Sequence, residues 1–561
     1  MSTDARAADI AAPLVPLEAG ISTGEDDRWF VRASWMLVGL GLLVRLVRFA
    51  VDYPIWHDEA FLAASLWDRG PAELARPLEY GQVAPWMFLV VERLFVATLG
   101  YNEMTLRLFP TLCGMASLVV FRHVASRMLR GWGLVLATGA LAVAFYPIRH
   151  GNEIKPYATD LLAATVLLAF AVEYLRRPDR SRWWWIAAAT TPVLLGLSYP
   201  AVFVAGGVAA ALAPTVLLRG SNRVRAAFVA YGLAMVASFG VIYLAATSSQ
   251  QQAMGDHYRF GYWRESFPPL DAPLWIPAWL LDVHAGNLAA YPVGERRGGS
   301  AATLICAIVG VLALWRSGRR ATAGVLLAPF GMGLVAAFLG KYPYGGEARV
   351  VQYLAPSICL TAGLGMAALA ARLRRPGAAE RVPRLLLGAM VALGAGLIVK
   401  DLAMPYRVYK DVKAREFARE FWAEQARDAD LACAKVDLGV EIDPHSWKAG
   451  MSAVYLFHQR LYSPRHRAGE PFRATPDSWS EGRPLRLVLY RDFSADDPNM
   501  QALLIAMGRD YELLDAREYV VDPGPTRESW LRDAYGVFDF VPRRGDGEET
   551  AAGAVEGAGR F

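Results

Sequence analysis

Eleven apolar runs recur between residues 33 and 400, at 33–51, 104–125, 132–148, 156–175, 183–198, 201–218, 226–246, 300–315, 322–340, 350–371 and 385–400. A helix needs roughly 20 apolar residues to cross the hydrocarbon of a bilayer. Hydrocarbon offers no partner to backbone N–H and C=O groups, so runs of this length must be helices. With 54% hydrophobic residues and a mean hydropathy of +0.24, the chain is too apolar for a soluble protein of its size. The expected fold class is therefore an α-helical polytopic membrane protein with about eleven transmembrane helices. The run 84–99 is set apart because Glu92 and Arg93 lie in its middle. A charge pair at the bilayer centre costs several kcal/mol, so a juxtamembrane helix is expected there.

Arginine placement orients the bundle. With the N-terminus inside, five short loops become cytoplasmic, and they carry seventeen arginines. The opposite loops are longer, yet hold eleven basic residues, among them Arg149, Lys155, Lys341 and Arg349. Such an excess marks the cytoplasmic side. Counting 84–99 as a span would reverse every later loop. The net charge of +5 follows from these topogenic clusters and indicates no nucleic-acid partner. Cys113, Cys306, Cys359 and Cys433 form no CxxC or metal spacing.

Residues 1–32 are polar and lack a cleavable signal pattern; a disordered cytoplasmic leader is expected. Residues 33–400 form the expected transmembrane domain. From 401 the composition turns polar. Helical periodicity over Lys410–Arg427, strands at Leu431–Val436, Leu485–Tyr490, Tyr511–Tyr519 and Ala534–Val541, a helix at Asn499–Gly508 and a mixed segment at Met451–Leu461 predict a small α/β domain over 401–544. It would lie outside, followed by a disordered tail, 545–561.

Three polar segments share the predicted outer face. The first is Tyr53-Pro54-Ile55-Trp56-His57-Asp58-Glu59. Asp58 and Glu59 suit a helix N-terminus, but two carboxylates beside an imidazole at a membrane edge favour function. An Asp there can take a proton from a nucleophile or help hold a divalent metal. The second segment, Arg149-His150-Gly151-Asn152-Glu153-Ile154-Lys155-Pro156-Tyr157, places Glu153 between cations. The third, Lys341-Tyr342-Pro343-Tyr344-Gly345-Gly346-Glu347-Ala348-Arg349, has cations flanking a Gly-Gly turn, which suits a phosphate; a hairpin with snorkelling cations is the plain alternative. Arg107, in Leu106-Arg107-Leu108-Phe109-Pro110, either pairs with one of the acids or snorkels.

The order of these motifs resembles the GT-C glycosyltransferases: an Asp-Glu pair, Arg-Leu-x-Pro entering the second span, a loop ending in Glu-x-x-Pro-Tyr, and Tyr-Pro-Tyr-Gly before Arg349. Within that superfamily the likeness is to the protein O-mannosyltransferase and aminoarabinose transferase group, glycosyltransferase family 39 and its bacterial relatives. It covers residues 33–400. The resemblance implies hexosyl or pentosyl transfer, with inversion, from a polyprenyl-phosphate donor to a protein, glycan or lipid acceptor at the outer face of the cell membrane. It implies catalytic roles for Asp58, Glu59 and Glu153, and donor-phosphate contacts for Lys341, Arg349 and Arg107. His57, Tyr342, Tyr344, Lys155 and Tyr157 would contact sugar or acceptor. Some relatives have two acids in the second loop where this chain has Asn152-Glu153, which weakens the case for a tightly held metal. A divalent cation, if used, would fall to Asp58 and Glu153. A transporter or flippase would carry its acids in mid-membrane on broken spans, and a non-catalytic scaffold would have no need of the Asp-Glu pair.

Overall fold

The structure, a computed structural model, describes residues 24–254, 261, 263–373, 377–425, 432–435, 447–463, 484–490, 501, 502, 505, 507–522 and 533–543. The expected tail, most of the expected leader and half of the helix expected at 499–508 lie outside the described residues. The first helix begins at Gly24, not at 33.

All eleven apolar runs lie in helices. Among the described residues eight helices are long and apolar enough to cross a membrane. A ninth span is counted if Gly131–Ala142 and Phe145–Asn152, bent by 46°, are one crossing. The count of eleven thus drops to eight or nine. The difference lies in Arg182–Leu197 and Ala301–Arg316, 16 residues each. Each is about 24 Å long, short of the ~30 Å of hydrocarbon.

Two close approaches fix the bundle. A Cβ at Gly310 or Gly365 would collide with the backbone carbonyl of Thr361 or Cys306, so Ala301–Arg316 lies flush on Ala355–Ala371. Small residues at such crossings let backbones touch. At the bend, the carbonyl of Ala142 abuts Gly41. Arg45, 1% exposed, donates to Gly41 and Ala142 carbonyls at 2.9 and 3.0 Å. A cation on the first span thus satisfies the carbonyl that the bend releases.

The short Trp86–Leu99 helix is too short to span, as its charges predict. Its Glu92 nevertheless faces the protein interior, fully buried, instead of lying at an interface with water.

The C-terminal part is a four-stranded sheet, β1 (Ala432–Lys435), β2 (Leu485–Tyr490), β3 (Tyr511–Asp522) and β4 (Asp533–Pro542), in the order β1-β2-β4-β3. β1 and β2 are parallel; the other pairs are antiparallel. The segment expected to be mixed is a helix, Trp447–Tyr462. The helix Tyr409–Gln425 covers the sheet, with Phe417 stacked on Tyr535 at 4.4 Å. One apolar cluster runs from Phe417, Phe421 and Val537 through to Ile55, Phe61 and Leu62. Arg460 adds a 2.7 Å bond to the Ala64 carbonyl, and Arg415 pairs with Glu103 at 3.1 Å. The first-loop helix, His57–Ala64, is therefore built on the C-terminal part as well as on the bundle.

Candidate functional site

Pro54 keeps the chain extended up to Trp56, whose backbone is still in the β region at φ −108°. The helix then starts at His57, with both acids in its first turn. Neighbouring residues point about 100° apart on a helix, and here that separates two like side chains. Asp58 lines a cavity of about 1170 Å³. Its Oδ1 lies 3.0 Å from Lys155 Nζ and its Oδ2 accepts from Arg349 at 2.8 Å. Burial alone would raise its pKa, but Lys155 and Arg349 outweigh that and hold the carboxyl well below the usual range.

Glu59 turns away from the cavity and is fully buried. Its Oε1 accepts from Arg107 Nε at 2.8 Å and from the Ile154 N–H at 3.1 Å, and its Oε2 meets a second Arg107 nitrogen. Arg107 also donates to the Tyr53 carbonyl and lies over the Tyr53 ring at 3.7 Å. This bidentate pair ties the first loop to the second span and to the second loop. Neither Glu59 nor Arg107 is among the residues lining the cavity.

Glu153 is also enclosed, 1% exposed. It accepts from His150 Nδ1 at 2.8 Å and faces Arg407 at 3.4 Å. Burial pushes Glu153 up, but His150, Arg407 and Arg149 hold it low. With Glu153 ionised, the His150 ring donates its Nδ1–H to it. Arg407 lies 3.1 Å above the Trp56 ring and reaches the cavity wall.

Lys155, Tyr157, Lys341, Tyr342, Arg349 and His57 all line the cavity. Lys155 also donates to Gln82 Oε1 at 2.6 Å. Tyr342 donates to the Val350 carbonyl at 3.0 Å, leaving its ring on the wall beside Phe203. Burial and the cations Lys410, Arg407 and Lys155 pull His57 down to about 4, against the pull of Asp58. It is neutral at pH 7. Tyr344 is placed elsewhere, with its hydroxyl 3.1 Å from His284 Nε2. The Gly345-Gly346 turn likewise packs on Val283 and Ser266, and Asn287 donates to the Gly346 carbonyl. The turn's positive φ values, 76° and 69°, are what require glycine there. It is a packing turn and does not face the cavity.

Sequence reasoning missed Arg407, Gln82 and Trp263, which lies 5.4 Å from the Arg349 guanidinium. Arg407 falls just past the apparent end of the membrane domain at residue 400, which hid it. The π-helical turn Tyr243–Thr247 brings Tyr243 and Thr247 to the wall, and no periodicity signals it. Val202, Phe203, Phe239, Ile242 and Leu339 give the cavity apolar lining as well.

Among the described residues no three His, Cys, Asp or Glu side chains are grouped to hold a metal ion. Both Asp58 oxygens already face cations, as do those of Glu153 except where His150 donates. This donor set does not fit a divalent cation.

No family model matches the chain, and no curated protein matches it in sequence. Solved structures do match. ArnT from Cupriavidus metallidurans bound to undecaprenyl phosphate superposes with a TM-score of 0.51 at 14% identity, covering 90% of this chain and 97% of that one. The apo state of the same protein gives 0.49 at 14% identity, covering 89% and 97%. The Archaeoglobus fulgidus oligosaccharyltransferase tethered with an acceptor peptide gives 0.45 at 12% identity, covering 85% and 70%. The last two scores are too low to build on. This chain is a multi-span helical membrane protein that shares the fold of the ArnT structure. The fold expected from short, ordered motifs is the fold found.

Proposed function

We propose that this chain transfers a sugar from a polyprenyl-phosphate donor to an acceptor at the outer face of the cell membrane, with inversion. The observation that carries the reading is Asp58 between Lys155 and Arg349, on a large cavity lined by both charged and apolar residues. A lipid-linked phosphosugar combines the same two characters. Its tail suits the wall of Phe239, Ile242 and Leu339, and its phosphate suits Arg349, Lys155 and Lys341. With nine crossings, Arg127, Arg130, Arg176, Arg177, Arg180 and Arg182 still fall on the side opposite Asp58 and Lys155, which favours the outer placement. The bound undecaprenyl phosphate in the ArnT structure accords with a lipid-phosphate donor.

The chemistry needs one proton acceptor and phosphate-charge stabilisation. The acceptor's hydroxyl or amine attacks the anomeric carbon from the face opposite the phosphate. The bond between that carbon and the phosphate oxygen breaks, and polyprenyl phosphate leaves with the electron pair. The nucleophile's proton passes to Asp58. Pinned by two cations, Asp58 is a weak base. A donor phosphate competes for Arg349 and Lys155, and as they turn to it Asp58 regains basicity. Substrate binding thus prepares the base. Glu59 with Arg107, and Glu153 with His150 and Arg407, position the loops that carry Asp58 and Lys155.

Deleting the gene and weighing the envelope glycans and glycolipids by mass spectrometry tests the reading. One sugar should disappear from its acceptor while its polyprenyl-phosphate form accumulates. Unchanged glycans, with no such intermediate, would contradict it.

A further inference from the structure

A second, smaller cavity of about 160 Å³ lies behind the Trp56–Arg407 wall. It is lined by Arg48, Arg149, Lys400, Asp401, Tyr406 and Arg407, among apolar residues. Four cations here face a single carboxylate. Arg48 holds Asp401 at 2.9 Å, and Lys400 stands 3.8 Å from it. Arg407 is directed to Glu153. The Arg149 side chain lies 5.8 Å from the Phe145 ring and makes no ion pair or hydrogen bond among the described residues, and the buried Nε of Arg48, whose guanidinium lies 4.6 Å from the Tyr53 ring, has no hydrogen-bond partner. Arg48 and Lys400 each sit in the last turn of a long helix, where cations complement the dipole and snorkel. That plain reading covers those two. Arg407 answers to Glu153, but Arg149 is left over, because the Glu153 oxygens are already taken by His150 and Arg407.

We propose that this cavity binds a phosphate-bearing anion, at the end of the bundle that carries Asp58. Guanidinium pairs recognise phosphate oxygens through paired charge-assisted hydrogen bonds. Arg149 and the free edge of Arg48 supply such donors, with Lys400 at the mouth, where it is half exposed. The outer ends of two spans put the cavity at head-group depth, so the phosphate belongs either to an anionic phospholipid or to the free ion. Arg407 lines both cavities. An anion here draws Arg407 away from Glu153 and so links the lipid surroundings to the loop that carries Lys155.

The test uses the full-length purified protein and reads each variant's thermal shift against its own baseline. One arm compares nanodiscs of phosphatidylcholine with nanodiscs containing phosphatidylglycerol. The other titrates inorganic phosphate against chloride, at equal ionic strength, in detergent. A ligand-dependent shift is expected in one arm or both. Arg149→Gln and Lys400→Ala should weaken the apparent affinity by roughly tenfold each, and Arg384→Gln, at an exposed cation away from both cavities, should leave it unchanged. A shift with phosphatidylglycerol only assigns the site to a head group; a shift with phosphate as well assigns it to the phosphate alone. Absence of any shift in the wild type would overturn the proposal, as would a shift that follows Arg384 and ignores Arg149.

Discussion

At positions 58 and 59 one helical step puts two carboxylates in opposite settings. Asp58 meets the cavity and two cations; Glu59 is sealed against Arg107. The adjacency was legible in the sequence, and the division of labour was not, because it depends on which way the helix faces. Glu59→Gln leaves the Arg107 guanidinium buried and short of charge, so a loss of stability of about 3–5 kcal/mol is expected, read by thermal unfolding in membranes or detergent. Stability near wild type would mean that the pair is not structural. The depressed carboxyls of Asp58 and Glu153 set a pH window. Their unfolded values lie near ~4. The stability they contribute is fully present above that and drains away as the pH falls toward their folded values. The melting temperature should stay flat from pH 7 to about 5 on their account and fall below about 4. For catalysis the sign is the reverse when a cation is removed. Arg349→Gln raises the Asp58 pKa, so the acid limb of kcat/KM should move up toward ordinary carboxylate pH.

At the scale of elements, helix type was the most legible feature, since every apolar run is helical. Span count was less so, because hydropathy does not fix where a helix ends. The 16-residue Ala301–Arg316 is held by glycine contacts with Ala355–Ala371, and those depend on a partner far away in sequence. A larger residue at Gly310 has only the Thr361 backbone to displace. Gly310→Leu should therefore reduce the folded yield in the membrane sharply, whereas Gly331→Leu, with open space around its Cβ position, should be tolerated. Equal yields would contradict the close approach. The three segments flagged from the sequence do converge through Asp58, Lys155 and Arg349. Tyr344 and the glycine turn fall away from them because the 266–296 segment captures the turn. Nothing local in the sequence announces that packing.

For the whole molecule, the boundary at residue 400 is a change of composition but not of structure. Arg407 crosses it to reach the cavity, and the apolar cluster around Phe417 continues under the helix that carries Asp58. Phe417→Ala should cost about 3–5 kcal/mol and lower transfer as well, although Phe417 is not on the cavity. Lost stability with full activity would mean that the two parts work independently. The central claim is that Asp58 receives the acceptor's proton. Its most direct test is in vitro transfer by the purified Asp58→Asn protein, using the polyprenyl-phosphate sugar identified in the deletion strain. The account predicts a loss of roughly 10²–10⁴-fold in kcat, with the donor lipid still bound; wild-type turnover by Asp58→Asn would contradict it.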